Sequence, residues 1–562
     1  MRKPSFFLLL SIIAGLAFSA AADSNSIPVK IRVDASKSLG PLIQSWRFFG
    51  ADEPNYATNR DGQKLIAELG AMASNRVYFR AHNLLTSGDG TPALKWGSTG
   101  AYREDANGKP VYSWTILDHI FDTYRERGVR PYVEVGFMPK DLSIRPEPYQ
   151  HNWRPGGRAS LFTGWIYPPK DYQKWGDLVY EWAKHCVERY GRAEVETWYW
   201  EVWNEANIGY WGGTREEFFK LHDYAIAGVR RALPTARVGG ADSAGNGGPF
   251  TRGFLDHCLH GTNYATGQVG TPLDFVSFHA KGSPSIVNGH IRMGVANQLR
   301  DIDTGFKIYA GNEATKSKPI IIGESDPDSC AGCDSDNPAY PQYGYRNTTL
   351  FSSYTAESFA RELELAARDS VNFEGALTWA FEFEDQPYFE GFRTLASNGL
   401  DKPVLNVFRM FSRMSGQRVH SESDRGLALD AVLSGGVHGE PDISALASID
   451  RNKAWVMVWY YHDDELPGPD AEVDLALDQL PLPSGQARVT HFRIDGDHSN
   501  SFNAWKKMGS PKAPTPAQYA ELEKAGQLQT MDAGSTVSVK NGQAALHFTL
   551  PRQGVSLVEL SW

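Results

Sequence analysis

Two glutamates of the sequence each follow a short apolar run and are flanked by polar residues. Glu205 comes after Trp198–Trp203 and Asn204, and Glu324 comes after Pro319–Gly323. Such a run predicts a buried strand, so the carboxylate that follows it emerges at the edge of a sheet. Two facing carboxylates can cleave a glycosidic bond, one as the acid that protonates the leaving oxygen and the other as the nucleophile that attacks the anomeric carbon. Asn204, beside Glu205, is suited to hydrogen-bond the sugar 2-hydroxyl.

The segments that must position these carboxylates alternate between β-type and helical patterns from about residue 40 to 415. The eight predicted strands are Ser45–Ala51, Arg76–Ala81, Arg130–Val135, Val195–Trp203, Arg237–Ala241, Phe275–His279, Pro319–Gly323 and Gly375–Phe381. The eight predicted helices are Asp61–Leu69, Thr115–Arg127, Asp171–Tyr190, Thr214–Leu233, Thr251–Leu259, Val287–Leu299, Tyr354–Asp369 and Pro403–Met414. This alternation predicts a parallel sheet, and eight repeats predict an α/β fold, the (β/α)8 TIM barrel. Glu205 and Glu324 then follow strands four and seven at the carboxyl-end rim, where the chemistry of such barrels lies. A lone glutamate at a strand end is more often the partner of an ion pair, but the presence of a glutamate at both strand ends favours a catalytic site.

The pattern changes after residue 416. β-Type runs recur there without long intervening helices, at Ala454–Tyr460, Ala487–Ile494, Gln543–Leu550 and Val555–Leu560. They predict an accessory antiparallel β-sandwich, to which Ile31–Val33 could add a strand. The predicted domains are therefore a catalytic barrel over residues 38–415 and a β-sandwich over residues 23–37 and 416–562.

The first 22 residues have the features of a secretory signal peptide. Arg2 and Lys3 precede the apolar run Phe6–Phe18, and the small residues Ala20–Ala22 follow. No later run approaches about 18 apolar residues, so no membrane association is expected after cleavage. The sequence thus predicts a periplasmic or secreted protein.

The composition is that of a globular protein. The chain has 562 residues, of which 41% are hydrophobic and 22% charged, and its formal net charge is -10. This excludes a wholly disordered chain. The absence of a Lys/Arg stripe argues against a nucleic-acid partner. The expected partner is an oligosaccharide substrate, and the oligomeric state is left open. No metal or organic cofactor is expected, because two carboxylates suffice for the chemistry.

The ordered set of motifs resembles the glycoside hydrolases of family 39, which include β-xylosidases and α-L-iduronidases. The segments that carry the resemblance include Phe49-Gly50, Tyr78-Phe79-Arg80-Ala81-His82, Trp203-Asn204-Glu205, Ser277-Phe278-His279-Ala280-Lys281-Gly282, Gly323-Glu324 and Leu400-Asp401-Lys402-Pro403-Val404. The resemblance implies that Glu205 is the acid/base and Glu324 the nucleophile of a reaction that retains the anomeric configuration. Their carboxyl groups should then lie about 5–5.5 Å apart. Glu324 should be ionised and Glu205 protonated in the resting enzyme.

Further residues at the predicted rim are candidates for binding the sugar. They are Arg80, His82, Asn204, His279, Lys281, Trp379, Asp385 and Arg393. The resemblance to the iduronidases implies that Lys281 and Arg393 hold a carboxylate on the sugar, since two fixed cations suit an anionic substituent. The alternative is that both cations pair with nearby acids such as Asp385 or Glu384.

The cysteines are few. Cys330 and Cys333 lie just past Glu324, and we expect a structural disulfide between them, with free thiols as the alternative. A zinc site needs about four ligands, and only two are in view. Cys186 and Cys258 fall in predicted helices and are expected to be buried thiols.

Together these features predict a secreted, exo-acting, retaining glycosidase. The leading hypothesis is a β-D-xylosidase that releases xylose from the non-reducing ends of xylo-oligosaccharides. One alternative is an α-L-iduronidase-like hydrolase of a uronide. An alternative from a different class is a non-catalytic carbohydrate-binding barrel.

Overall fold

The computed structural model describes residues 26–74, 76–91, 99–149, 163–333, 335, 337–380, 382–531 and 534–562. The predicted signal peptide, residues 1–22, lies outside these ranges. None of the helices in the described part of the chain combines the length and the apolar character that a membrane span requires.

Eight parallel strands close into a barrel, as predicted. They are Phe48–Ala51, Val77–Ala81, Val129–Val135, Tyr199–Val202, Arg237–Ser243, Phe275–Lys281, Ile320–Asp326 and Phe373–Trp379, here called barrel strands one to eight. The last strand pairs with the first, with Leu377 opposite Phe48, so the sheet has no free edge. The predicted fourth strand was too long at its start, because residues Arg192–Val195 form a short helix.

Helices follow the barrel strands at Arg60–Met72, Thr115–Glu126, Tyr172–Tyr190, Arg215–Ala232, Gly248–His260, Val295–Ala310, Thr349–Asp369 and Pro403–Arg413. The fourth begins with a capping box: Thr214 Oγ1 accepts a hydrogen bond from Glu217 N at 3.1 Å, and Thr214 N donates to Glu217 Oε2 at 2.7 Å. This satisfies two backbone groups that the first helical turn leaves without partners. Short 3-10 helices lie in the loops at Pro54–Thr58, Lys140–Leu142, Gly164–Ile166 and Pro341–Asn347.

The predicted start of the sixth helix, at Val287, was wrong. A two-stranded hairpin, Ser285–Val287 with His290–Arg292, occupies that segment, and the helix begins at Val295. Asn288 and Gly289 form its turn with φ of 49° and 83°. Asn-Gly is the preferred pair for a tight hairpin turn, because both positions need positive φ. Two further short hairpins lie in loops, Tyr102–Glu104 with Pro110–Tyr112 and Ala396–Ser397 with Leu400–Asp401.

Outside the barrel and its loops, the described residues form a second domain built on one hydrogen-bonded sheet of ten strands. They are Ile27–Pro41, Gln417–Ser423, Asp442–Asp450, Lys453–Tyr461, Ala471–Asp478, Ser484–Ile494, Gln529–Thr530, Ser535–Lys540, Ala544–Leu550 and Val555–Ser561. Pairing is antiparallel except between Ile27–Pro41 and Ala471–Asp478, which run parallel. Val539 and Leu550, from opposite ends of the sheet, share one apolar core, so the sheet wraps around itself. Short helices, Leu429–Gly435, Ser501–Lys507 and Pro516–Gly526, connect its strands.

One strand of this sheet, Lys453–Tyr461, packs on both faces. Ala454, Val456, Val458 and Tyr460 face the core of the sheet, whereas Trp455, Met457, Trp459 and Tyr461 join the core of the barrel. This alternation follows the two-residue period of a strand. Trp459 Nε1 also donates to Glu357 Oε2 on the seventh barrel helix at 2.5 Å. The sheet domain is thus fixed to the barrel by a shared apolar layer.

The sheet domain also supports the barrel rim. The hairpin after barrel strand six is held by Arg292, whose guanidinium forms two hydrogen bonds to Asp464 at 2.6 and 2.8 Å. Met293 N donates to Asp463 O at 2.9 Å. Because this hairpin continues the strand that carries His279 and Lys281, these bonds restrain the loop beside the candidate site.

Candidate active site

The carboxyl ends of barrel strands four, six and seven bring Glu205, His279 and Glu324 together. A carboxylate oxygen of Glu205 and one of Glu324 lie within 4.8 Å of each other and of a ring nitrogen of His279. His279 Nδ1 is 2.8 Å from Glu205 Oε1 and 3.8 Å from Glu324 Oε1. In retaining glycosidases the two carboxyl groups lie about 5–5.5 Å apart, and the spacing here is close to that. In inverting glycosidases they lie about 6.5–9.5 Å apart, which leaves room for a water molecule.

Glu205 is oriented by an unusual backbone. Trp203 and Glu205 adopt left-handed φ values of 74° and 46°, a region that costs a residue with a side chain about 1–2 kcal/mol. Glu205 N donates to Asp242 O on barrel strand five at 2.9 Å, and Trp203 Nε1 donates to Tyr210 O at 2.9 Å. These contacts hold the turn in which the carboxylate leaves the strand.

Glu324 lies among positive charges. Lys281 Nζ donates to Glu324 Oε2, while Arg80 Nη1 and His82 Nε2 each lie 3.5 Å from Glu324 Oε1. Burial alone would raise the pKa of Glu324, but the charges of Lys281 and His279 and the hydrogen bond from His82 outweigh it and hold the pKa well below its usual range. Glu324 is therefore ionised at neutral pH.

The two histidines are themselves held protonated. Burial disfavours the charged form of His279, but the carboxylates of Asp242 and Glu324 outweigh burial and raise the pKa of His279 to about 10. For His82, burial is likewise outweighed by Glu134, and the pKa of His82 is raised to about 9. His279 can therefore donate from Nδ1 to Glu205 and from Nε2 to Asp242 Oδ1, which is 2.8 Å away.

Below the two glutamates lies a fully buried ionic cluster centred on Arg80. Its guanidinium pairs with Glu134 at 2.8 Å and with Glu201 and Asp242. Oxygens of these three carboxylates lie within 4.8 Å of one another, a spacing that a metal ion could use. Arg80 supplies a positive charge to all three. Burial and the neighbouring Asp242 raise the pKa of Glu201 to about 8.

Asn204 and Trp379 complete the wall predicted to contact the sugar. Asn204 Oδ1 accepts from Arg80 Nη2 at 3.1 Å, and Asn204 Nδ2 has no acceptor among the described residues, which leaves this donor available. The Trp379 ring packs against the His82 ring in a tilted arrangement, with 4.9 Å between ring centroids. A Cβ atom on Gly50 would come within 2.5 Å of the Trp379 ring, so the glycine creates the space for this indole.

Lys281 and Arg393 pair with acids that the sequence analysis did not identify. Lys281 Nζ is 3.0 Å from Asp326 Oδ2 in addition to its bond to Glu324. Arg393 is buried, with Nη1 2.7 Å from Asp326 Oδ1 and Nε 3.3 Å from Asp328 Oδ1. Internal pairing was the alternative stated for these cations, but the expected partners, Asp385 and Glu384, were not the right ones.

Asp385 is a candidate that the structure does not bring to the two glutamates. It is exposed on the loop after barrel strand eight, in a turn with φ of 59°. Its charge acts on Glu384, whose pKa is raised by burial and then by Asp61 and Asp385. Asp385 is thus a solvent-exposed residue of this loop.

Cys330 and Cys333 are joined by a disulfide, with Cα atoms 5.5 Å apart. Arg346 fastens this loop: Nη2 donates to Cys330 O at 2.7 Å and to Asp328 Oδ1 at 2.8 Å. Asp328 in turn contacts Arg393, so the disulfide loop is connected to the cations beside Glu324. Cys186 and Cys258 are buried free thiols, as expected.

Four acids at the site were missed by sequence reasoning: Glu134, Glu201, Asp242 and Asp326. Two of them carried a signal, since Glu134 and Glu201 each stand between apolar residues of a buried strand, where an unpaired charge would be costly. Asp242 was missed because the predicted fifth strand ended at Ala241, two residues before the observed end at Ser243. Asp326 follows Glu324 by two residues, so it points to the same side of the strand.

We expect thermal stability to fall as the pH rises from about 7 to 10. The folded-state pKa values of His279 and His82, about 10 and about 9, lie above the about 6.5 of an unfolded histidine. Their stabilisation is therefore complete below about pH 6.5 and is lost as the pH rises through the folded values. Scanning calorimetry across this range measures the decline. A His279→Gln variant should show a shallower decline, and an unchanged slope would contradict this origin.

A (β/α)8 barrel whose strand ends hold two carboxylates at this distance belongs to the class of two-carboxylate barrel glycosidases. The profile of Glycosyl hydrolases family 39 matches residues 29–541, and the chain belongs to this family. It is therefore a glycosidase, and the alternative of a non-catalytic barrel is set aside.

Relatives of two specificities are similar to the chain. A beta-xylosidase of Caldicellulosiruptor saccharolyticus is 26% identical over 515 residues, which cover 89% of this chain and 92% of the relative. An alpha-L-iduronidase of Mus musculus is 26% identical over 536 residues, which cover 88% of this chain and 75% of the relative. Among solved structures, a monomeric beta-xylosidase from Caulobacter crescentus CB15 superposes with a TM-score of 0.72 at 20% identity, covering 95% of this chain and 99% of that one. This last likeness concerns the fold.

Proposed function

We propose that the protein is an exo-acting β-D-xylosidase that removes xylose from the non-reducing ends of xylo-oligosaccharides. The observation that carries this choice is the internal pairing of Lys281 and Arg393. Each cation already contacts two protein carboxylates. A pocket whose cations are matched by its own acids suits a pentose, which has no charged substituent.

The geometry supports a double displacement. The ionised Glu324 attacks the anomeric carbon while Glu205 protonates the leaving oxygen, so the glycosidic bond breaks and a glycosyl ester forms on Glu324. Glu205, now a carboxylate, then takes a proton from a water molecule that attacks the anomeric carbon from the side the leaving group vacated. The ester bond breaks, Glu324 is released as a carboxylate, and xylose leaves with its configuration retained. His279 and Asp242 orient Glu205 through both steps.

The burial of the site supports exo action. The side chains of Glu324 and Glu205 are only 10% and 14% exposed. Such a pocket accommodates a chain end more readily than the middle of a polysaccharide.

A uronide hydrolase is the second candidate, because Lys281 is 14% exposed beside Glu324 and can therefore be reached from the pocket. The similarity to alpha-L-iduronidases is as high as that to beta-xylosidases. The test compares kcat/KM on an aryl β-D-xyloside and on the matching aryl α-L-iduronide. Faster xyloside cleavage is expected, and faster iduronide cleavage would assign Lys281 and Arg393 to the substrate carboxylate.

We expect the first product to be the β-anomer of the released sugar. Proton NMR recorded within the first minutes of hydrolysis of an aryl β-D-xyloside distinguishes it from the α-anomer before mutarotation. Retention follows from two carboxylates too close to admit a water between them and the substrate. Initial appearance of α-xylose would contradict the double displacement.

We also propose that the protein acts in the periplasm or outside the cell. The basic, apolar and small-residue order of the first 22 residues supports this, as does the disulfide Cys330–Cys333. Fractionation of expressing cells, with the N-terminus of the mature chain determined by mass spectrometry, tests it.

A further inference from the structure

The disulfide between Cys330 and Cys333 closes a small loop just past the end of barrel strand seven, the strand that carries Glu324. Both cysteines are half-buried, and Ser329 beside them is exposed. The other two cysteines of the chain are buried in barrel helices. Of the four cysteines, the disulfide-bonded pair is therefore the one that a reductant in solvent can reach.

The guanidinium of Arg346 joins this disulfide loop to the loop that follows barrel strand eight. Arg346 is fully buried. Its Nη2 donates to Cys330 O at 2.7 Å, and its Nη1 donates to Cys333 O. Nη1 also donates to Gly391 O at 3.1 Å. Because one planar, rigid group binds the carbonyls of both cysteines and of the second loop, these bonds depend on the spacing that the disulfide maintains.

The two loops also touch directly. Arg393 N donates to Ala331 O at 3.0 Å, so the middle of the disulfide loop binds the backbone of the second loop. Gly391 has a φ of 91°, and a Cβ atom there would overlap the side chain of Ser335. Arg393 was predicted to contact the sugar. The disulfide loop thus fixes the backbone of a residue in the wall of the sugar pocket.

We propose that the Cys330–Cys333 disulfide is a redox-sensitive positioning element of the sugar pocket. The oxidised loop holds the backbone of Arg393 in place for the sugar, and reduction to two thiols loosens this backbone and weakens substrate binding. This inference deepens the proposed function, on which it rests, because it assigns a regulation to the same site.

The reductant required is a dithiol. One of its sulfurs, as the thiolate, attacks a cysteine sulfur, so the S–S bond of the protein breaks and a mixed disulfide forms. The second sulfur of the dithiol then attacks the mixed disulfide and releases the cysteine. The protein gains two electrons and two protons as two thiols, and the dithiol leaves as a cyclic disulfide.

The expected effect is on substrate binding and not on the chemical step. The distance between Glu205 and Glu324 depends on barrel strands four and seven, and strand seven ends at Asp326, before the disulfide loop begins. Loss of an interaction that serves substrate and transition state equally raises KM and leaves kcat unchanged. Substrate binding must then order roughly one more residue of backbone, so KM should rise by about tenfold.

The test compares the oxidised full chain with the same protein after treatment with dithiothreitol. The substrate is whichever of the aryl β-D-xyloside and the aryl α-L-iduronide the untreated protein cleaves faster. We expect KM to rise by about tenfold, with kcat within about twofold, and to return when the disulfide is re-formed with an oxidant. A thiol-specific dye should count the two thiols released from the folded protein.

Two outcomes would overturn the proposal. One is an unchanged KM after the two thiols have been released, with only a lower melting temperature, which is what a purely stabilising disulfide would give. The other is failure of excess dithiothreitol to release these thiols from the folded protein. Turnover by the untreated protein tests the proposed glycosidase function, whereas the change on reduction tests the disulfide, so the two can fail separately.

Variants assign the effect to this pair of cysteines. The double variant Cys330→Ser/Cys333→Ser should have the raised KM without reductant and should not respond to dithiothreitol. The matched control is Cys186→Ala/Cys258→Ala, which removes the two buried thiols and should respond as the wild type does. If the serine variant does not fold, reduction and reoxidation of the control variant decide the matter, since its only remaining cysteines are the disulfide pair.

Discussion

Replacement of Glu324 by alanine should lower kcat/KM on an aryl β-D-xyloside by on the order of 10⁵-fold, because it removes the only group proposed to form a bond to the anomeric carbon. The site is built around this carboxylate, with Lys281, Arg80 and His82 directed at its oxygens. Each of those cations would lose the carboxylate that faces the substrate, while keeping its other acidic partners. Steady-state kinetics with the two purified proteins measures the loss.

Chemical rescue separates a missing nucleophile from a damaged fold. Azide can enter the space that the Glu324 side chain vacates, where the surrounding cations attract an anion. It should restore turnover and yield the α-glycosyl azide, whose configuration is inverted relative to the substrate. Turnover of Glu324→Ala close to that of the wild type, without azide, would refute the assigned role.

Replacement of Glu205 by alanine should give a loss that depends on the leaving group. General acid catalysis contributes about 10²–10⁴-fold where the leaving oxygen is poor, so xylobiose hydrolysis should fall by about 10³-fold. A dinitrophenyl xyloside needs no protonation to depart, so formation of the glycosyl-enzyme should be little affected. Hydrolysis of that intermediate should become slow, because no base remains to activate water.

Pre-steady-state kinetics makes this second effect visible. Glu205→Ala should release a burst of dinitrophenol followed by a slow steady state, and azide should accelerate the steady state and give the β-glycosyl azide. A matched control is Glu201→Gln. Glu201 lies four residues before Glu205 and is also buried, but its carboxylate pairs with Arg80, whereas that of Glu205 contacts His279 Nδ1. Equal losses of Glu205→Ala on xylobiose and on the dinitrophenyl xyloside would argue against general acid catalysis by Glu205.

Much of the fold was accessible from local sequence patterns. The eight barrel strands and helices were predicted because each segment has the hydrophobic pattern of a strand or of a helix. Both glutamates were recognised because each follows an apolar strand. Errors arose at the boundaries of elements, which depend on turn residues. Asn288-Gly289, for example, forms the turn of a hairpin where the start of a helix was predicted. The single parallel pairing of Ile27–Pro41 in the second sheet also escaped prediction, because strand pairing across the length of the chain leaves no local periodicity.

The sequence by itself determined the barrel, the two glutamates at the ends of strands four and seven, and the set of basic and aromatic residues around them. These follow from periodicity and composition, which are properties of neighbouring residues. Only the tertiary structure decided that the two carboxylates approach within 4.8 Å. It also decided that Lys281 and Arg393 share Asp326, that Asp385 faces solvent, and that Glu324 is ionised. Ion pairing and pKa depend on distances and burial among residues far apart in the chain, and folding alone sets those distances.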